Sequence, residues 1–168
     1  TLKPGVTIAV EVDTGFILAF FSTPAYDPNR VTGRLLAKEK EALDNNPKKP
    51  WINRAIQEQY APGSTYKAFT ALTALDKGFI TPSTVLSCPG YYRSGSNTWR
   101  CFKDSGHGGI ALHFSLVASC DTFYYSLGAK MGIEPMAETA RKFGLGQRSG
   151  IDLDEEISGI VPDIAYHN

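Results

Sequence analysis

The 168-residue chain has no surplus of charge of either sign: 17 Lys and Arg balance 17 Asp and Glu, for a formal net charge of zero. Nucleic-acid binders usually carry a basic excess to neutralise phosphates, so no nucleic-acid partner is expected. Long apolar runs are missing too. The longest, Phe16-Ile17-Leu18-Ala19-Phe20-Phe21, has the length of a strand and falls far short of the ~20 residues of a membrane-spanning helix. No signal peptide is present. The chain starts at Thr1 without a Met, as an excised piece does, so missing targeting signals say nothing about a longer parent. Internal repeats, heptads and low-complexity tracts are also absent. What is present suits one domain with a core: 42% hydrophobic and 20% charged residues. Gly 16 and Pro 10 predict many turns between short elements.

Val6 to Val12 reads as a strand, Asp13-Thr14-Gly15 as a turn and Phe16 to Ser22 as a second strand, a hairpin within residues 5–23. The unbroken apolar character of the second strand predicts cover on both its faces. Pro24 and Pro28 end regular pairing. Leu35, Leu36 and Leu43 among charged residues predict a weak amphipathic helix over 33–43. The strongest helix spans Ser64 to Lys77, with Ala68, Ala71, Leu72 and Leu75 on one stripe and Gly78 as its stop. Its first turn points unpaired N–H groups at whatever approaches Ser64. Residues 81–109 lack periodicity, and a stretch that long needs a function or a staple. A second apolar helical stretch covers 110–131. Ser119-Cys120-Asp121 is a candidate break in it, because Ser and Asp favour caps and turns. A shorter helix over 135–143 ends at Gly144 and Gly146.

Ser64 and Lys67 stand three residues apart, which on a helix puts them on one face, ~5–6 Å apart at Cβ. A serine hydroxyl is a poor nucleophile until a base takes its proton. A lysine is such a base when burial or cationic neighbours disfavour its ammonium form. The same two residue types recur by chance in many chains, where the serine is a plain N-cap. The surrounding sequence supplies context. Tyr60-Ala61-Pro62-Gly63-Ser64-Thr65-Tyr66-Lys67-Ala68-Phe69 resembles the active-site segment of class B penicillin-binding proteins, the serine D,D-transpeptidases that cross-link peptidoglycan. Ser119-Cys120-Asp121, followed by Thr122-Phe123-Tyr124, is similar to that family's second motif, Ser-x-Asn or Ser-x-Asp. Asp13-Thr14-Gly15 with Ile17-Leu18-Ala19, Asn53-Arg54-Ala55, Gly106-His107-Gly108 and Met131-Gly132-Ile133 resemble further landmarks, in order and at compatible spacing, from about Gly5 to Pro162. Tyr26-Asp27-Pro28-Asn29 and Asp121 look like the elongation-specific, cell-shape branch.

The resemblance implies an α/β fold of the α+β type, an antiparallel sheet with a helical subdomain as in serine β-lactamases and penicillin-binding transpeptidases. Residues 1–168 would be the N-terminal part of that domain, with the motifs in a helical region over 53–146. It implies that Ser64 attacks the penultimate D-Ala carbonyl of a stem peptide, giving an acyl-enzyme that a neighbouring stem's amine resolves. Lys67 is then the base, Ser119 the relay to the leaving amine, and Asp121 the orienting carboxylate. Asp121 replaces the usual neutral Asn, so a base role for Lys67 needs that carboxylate at some distance. The Ser64 N–H would give one arm of the oxyanion hole. β-Lactams, which mimic D-Ala-D-Ala, would acylate the same serine. The family's third motif, Lys-Thr/Ser-Gly, is not in this sequence, so the chain is expected to stop before that strand. Its implied partners are peptidoglycan stem peptides, β-lactams, cell-elongation membrane proteins and the remainder of its own domain. Its implied place is the periplasmic face of the bacterial inner membrane, anchored by a segment outside this chain. Two alternatives remain: a non-catalytic scaffold fragment that binds elongation-complex proteins, and a β-lactamase-like or sensor-like relative, for which no deacylating Glu is marked.

Cys88, Cys101, His107 and Cys120 flank the aperiodic stretch. Zinc favours four N or S ligands in a tetrahedron, and a structural zinc there would pin residues 81–109 against the helix after Ser119, with Cys120 turned away from the cleft. The competing reading is a Cys88–Cys101 disulfide with Cys120 as a buried apolar residue, which suits an oxidising periplasm, and three plain core cysteines are the remaining option. His113 reads as a structural histidine. Trp51, Tyr60, Tyr66 and Phe69 read as core or cleft lining, and Tyr91, Tyr92 and Trp99 as a wall of the substrate groove.

Overall fold

The computed structural model describes residues 3–167. Strand β1 (Gly5–Val10) pairs antiparallel with β2 (Ile17–Thr23), from Gly5↔Thr23 to Val10↔Ile17, with an irregularity between Ala9 and Val10. The turn closes with Gly15 N–H to Glu11 O and Glu11 N–H to Phe16 O, both 2.8 Å. Gly15 stands there at φ 75°, a conformation that glycine adopts without steric cost. Cover on both faces of β2 is not found: Leu18 is 69% and Phe21 55% exposed. The physical reason is the ladder itself, which has two strands and no third described strand on either edge.

Asp27 caps a short helix α1 (Pro28–Val31) by accepting from the Asn29 N–H at 2.9 Å. Helix α2 (Ala37–Asp44) occupies the later part of the charged stretch and buries no residue. Helix α3 (Arg54–Gln57) is capped by Asn53. Its Arg54 is 4% exposed. The guanidinium donates to the carbonyls of Lys48 at 2.7 Å, Lys49 at 3.3 Å and Ile52 at 3.5 Å, and its Nε lies 3.4 Å from Glu58. One buried cation thus organises the 48–53 loop, whose carbonyls have no ladder to pair with. The Ser22 hydroxyl ties β2 to this loop, donating to Ile52 O and accepting from the Arg54 N–H. Gly150–Ser158 returns to the same compact unit, where Ile157 N–H reaches Ile56 O at 2.9 Å.

The second unit runs from Ala61 to Ser149 and resumes at Gly159. Its first helix differs from the sequence reading in two ways. Residues Gly63–Tyr66 form a 3₁₀ turn, and only Lys67–Asp76 (α4) is α-helical. Its buried residues are Thr70, Ala71, Thr73 and Ala74, whereas Leu72 and Leu75 of the expected stripe are exposed. Threonine can take the inner face because its hydroxyl back-bonds within the helix: Thr73 to Phe69 O at 2.7 Å and Thr70 to Tyr66 O at 3.3 Å.

The aperiodic stretch is not irregular. Strand β3 (Val85–Cys88) pairs with β6 (Gly108–Ala111), and β4 (Tyr91–Ser94) with β5 (Asn97–Arg100), both antiparallel. Four-residue strands are too short for periodicity to register. Gly106 is required at their junction, because a Cβ there would fall 2.2 Å from Cys88 O. Helix α5 (Leu112–Val117) and helix α6 (Asp121–Met131) are separated at 118–120, as the Ser-Cys-Asp signal predicts. Gly132, at φ 76°, joins α6 to α7 (Ile133–Lys142), and α8 (Ile164–His167) follows the polar tail. The core lies under α6: Phe123, Leu127 and Met131, one i, i+4 ridge, are buried among Ala71, Ala74, Ile80, Ile110 and Leu112.

Replacing Arg54 with Leu is expected to lower stability by about 2–4 kcal/mol, read as a lower urea midpoint of the complete protein by Trp51 fluorescence. An unchanged midpoint would contradict the organising role given to this side chain.

Candidate active site

The 3₁₀ turn changes the geometry at the serine. In such a turn, residues i and i+3 eclipse rather than sit askew, so Ser64 lies above Lys67. Ser64 is exposed at the surface of its unit, and its N–H belongs to the turn's start, where no intrahelical acceptor exists.

Lys67 reaches across to the α5–α6 connection. Its Nζ lies 2.8 Å from Ser119 O, 3.0 Å from Ser119 Oγ and 2.6 Å from Asp121 Oδ1. Three N–H groups therefore meet three oxygens. The Ser119 hydroxyl also stands 3.1 Å from Ser64 Oγ, so Ser64, Ser119 and Lys67 form a hydrogen-bonded line, and the serine's described side-chain contact is with Ser119, not with the amine. Ser119 holds φ 46°, a left-handed conformation costly for a residue with a Cβ, and this aims both its oxygens at Lys67. Asp121 is not at a distance from the amine, as a freely available base requires; it forms an ion pair with it, the two side chains 24% and 12% exposed. Its second oxygen accepts the Phe102 N–H at 3.1 Å, which divides the carboxylate between the lysine and the β5–β6 connection. Lys67 Nζ also lies over the Tyr124 ring, 5.7 Å from its centroid.

Cys88, Cys101 and Cys120 are free and buried. Their sulfurs and a His107 ring nitrogen lie within 4.8 Å of one another. His107 Nδ1 is 3.5 Å from Cys88 Sγ and 3.6 Å from Cys101 Sγ. A tetrahedral zinc with ordinary bond lengths has an S–N edge of about 3.5 Å, so the donor set fits that ion in type and spacing. The sulfurs differ in how readily they ionise. Burial raises the Cys88 thiol, but the His107 ring and the His107 and Gly90 N–H groups beside it outweigh burial and bring it down to about 6. Cys120 is pushed up to about 12, first by burial and then by the neighbouring Cys88 and Cys101 sulfurs. A thiol pushed up this far keeps its proton unless a metal ion displaces it, as a bound zinc would. The Cys88–Cys101 disulfide is not formed.

Residues 5–167 match the profile of the penicillin binding protein transpeptidase domain. The chain belongs to that family. Among relatives of this penicillin-binding transpeptidase chain, the peptidoglycan D,D-transpeptidase MrdA of Escherichia coli K12 is 42% identical over 167 residues, and that of Acinetobacter baumannii 38% over 163. Each alignment covers 96% of this chain but 26% and 24% of the relative, so the chain spans about a quarter of the curated relatives it matches. Similar solved structures include a complex of PBP2 with MreC from Helicobacter pylori (TM-score 0.91, 29% identity, 98% of this chain and 31% of that one). Another is Pseudomonas aeruginosa PBP2 in complex with WCK 5153 (TM-score 0.91, 32% identity, 98% of this chain and 38% of that one). The transpeptidase fold is the one the motifs imply.

The remaining candidates are dispersed. Among the second unit's aromatics, Tyr66 and Phe69 stack on each other at 5.6 Å and Phe69 meets Phe143 edge-on, so they pack rather than line a cleft. Tyr92 and Trp99 pair at 6.0 Å across the β4–β5 ladder, while Tyr91 is partly exposed beside Arg93. Exposed His113 stands edge-on to Phe114. In the first unit, Trp51 lies on Tyr26 and Tyr60 is 55% exposed. Two participants escaped sequence reading. The Phe102 N–H carries no side-chain signal at all. Tyr124 has one: it sits three residues after Asp121 on a helix and so shares its face.

Because Ser119 is held left-handed, Ser119→Gly is expected to be more stable than Ser119→Ala by about 1 kcal/mol, while both lack the hydroxyl. Thermal unfolding of the two variants in the complete protein checks this; equal midpoints would contradict a strained Ser119.

Proposed function

We propose that this chain is the serine-bearing part of a peptidoglycan D,D-transpeptidase of the elongation-specific PBP2 type. The observation that supports it best is the Ser64–Ser119–Lys67 line. When Lys67 is neutral, the Ser64 proton passes to Lys67, with Ser119 able to carry it, as Ser64 Oγ bonds to the penultimate D-Ala carbonyl carbon. The proton then returns through Ser119 to the departing D-Ala nitrogen as the C–N bond breaks, leaving an acyl-serine. An amine from a second stem peptide attacks that ester, its proton leaves by the same line, and Ser64 is regenerated. The Ser64 N–H steadies the oxyanion. Asp121 holds the lysine in register beside Ser119. β-Lactams acylate Ser64 because their amide occupies the same position.

The exposed apolar hairpin, with Leu18 69% and Phe16 68% accessible, suits the remainder of the same domain, including the strand with the third motif. Partners of the elongation type, such as the MreC seen with the Helicobacter pylori PBP2, and the periplasmic face of the inner membrane belong to the same reading. No helix among the described residues is long and apolar enough to cross a membrane. Cys88, Cys101, His107 and Cys120 hold a structural zinc in this reading. With four protein ligands it leaves no position for a reacting water, and its contribution is to stiffen the β3–β6 region beside Asp121.

A labelled penicillin is expected to mark the complete protein at Ser64. The S64A variant should show no adduct, and K67A should acylate roughly 10²–10⁴-fold more slowly. An adduct on S64A removes the nucleophile assignment. Elemental analysis is expected to find one zinc per chain; a metal-free protein two protons lighter than the reduced chain would favour the disulfide instead.

A further inference from the structure

Tyr124 has no part in the proton line just described, yet it lies directly under its base. Its side chain is 7% exposed. The hydroxyl is 3.1 Å from Ser115 Oγ, and Ser115 is itself fully buried and donates to Leu112 O at 2.7 Å. The ring is thus fixed from its far end. Burial raises the phenol's pKa above its ordinary value, against the Ser115 bond, so the ring stays neutral and acts through its quadrupole. Its face meets Lys67 Nζ at 5.7 Å from the centroid, inside the ~6 Å reach of a cation–π contact. The other groups around the ammonium are Asp121 of α6, the two Ser119 oxygens and, beyond them, Ser64. Asp121 is the one other charged group in contact with it among the described residues.

We propose that Tyr124 is a positioning residue whose ring face stabilises the positive charge Lys67 acquires as it takes the Ser64 proton. This rests on the acyl-transfer reading. Proton transfer from Ser64 turns a neutral amine into an ammonium at the moment the Oγ–C bond forms. A fixed π face below the nitrogen stabilises that charge without reorganising, as preorganised dipoles do at other developing charges. An aliphatic side chain of similar bulk fills the space without the quadrupole.

The test replaces Tyr124 in the complete protein with phenylalanine and then with phenylalanines carrying one, two and three ring fluorines, which weaken the quadrupole at nearly constant shape. Penicillin acylation is followed on the alkaline plateau of the unmodified protein's own pH profile. The Phe variant should acylate within about twofold of the unmodified protein. The acylation rate constant should then fall stepwise with fluorination, by roughly 3- to 10-fold over the series, with unchanged penicillin affinity and thermal midpoint. Tyr124→Leu should fall at least as far. A flat series in a protein that is labelled normally overturns the inference alone. Absent labelling of Ser64 in the unmodified protein, or undiminished acylation by K67A, overturns the acyl-transfer reading and this inference with it.

Discussion

The structure around the serine depends on where one ammonium group finds its oxygens. Lys67 begins α4, and the oxygens that meet its Nζ lie more than fifty residues further on, at Ser119 and Asp121. A lysine in a half-buried cleft must replace the water it gives up. It does so with a carbonyl, a hydroxyl and a carboxylate from a single three-residue connection. The same contacts hold Ser119 in a backbone conformation it would not choose alone, which turns its hydroxyl toward Ser64. Loss of the ammonium would free the connection as well as remove a base.

Helix α6 carries several requirements at once. Cys120, at its N-cap, joins the sulfur cluster. Asp121, one residue on, pairs with Lys67 and accepts the Phe102 N–H next to Cys101. Phe123, Leu127 and Met131 fill the core, and Tyr124 supports the amine. The cysteine cluster and the serine site are therefore neighbours through two adjacent residues and one backbone hydrogen bond.

The hairpin stands in contrast. Its side chains on either face are largely in water, although they are Val, Ile, Leu and Phe. Exposed apolar strands with free edges are a liability that folded domains ordinarily cover. Residues 5–167 match the transpeptidase family, and the chain spans about a quarter of the length of its relatives.

Residue order alone determined the local events. The hairpin was readable because a Gly turn separates two β-rich runs, the break before α6 because Ser-Cys-Asp disfavours continuing helix, and the candidate nucleophile because its neighbours match a known family. Three things were decided only by tertiary structure. The inner face of α4 is threonine and alanine rather than leucine, since back-bonded hydroxyls satisfy themselves and what remains of the helix meets water. The 81–109 stretch became paired strands around four ligand-type side chains, because strands of four residues gain their order from partners and not from pattern. Asp121 came to rest on the amine instead of apart from it. Spacing in a chain can name the groups that meet, but the distance at which they settle is fixed by the packing that carries them there.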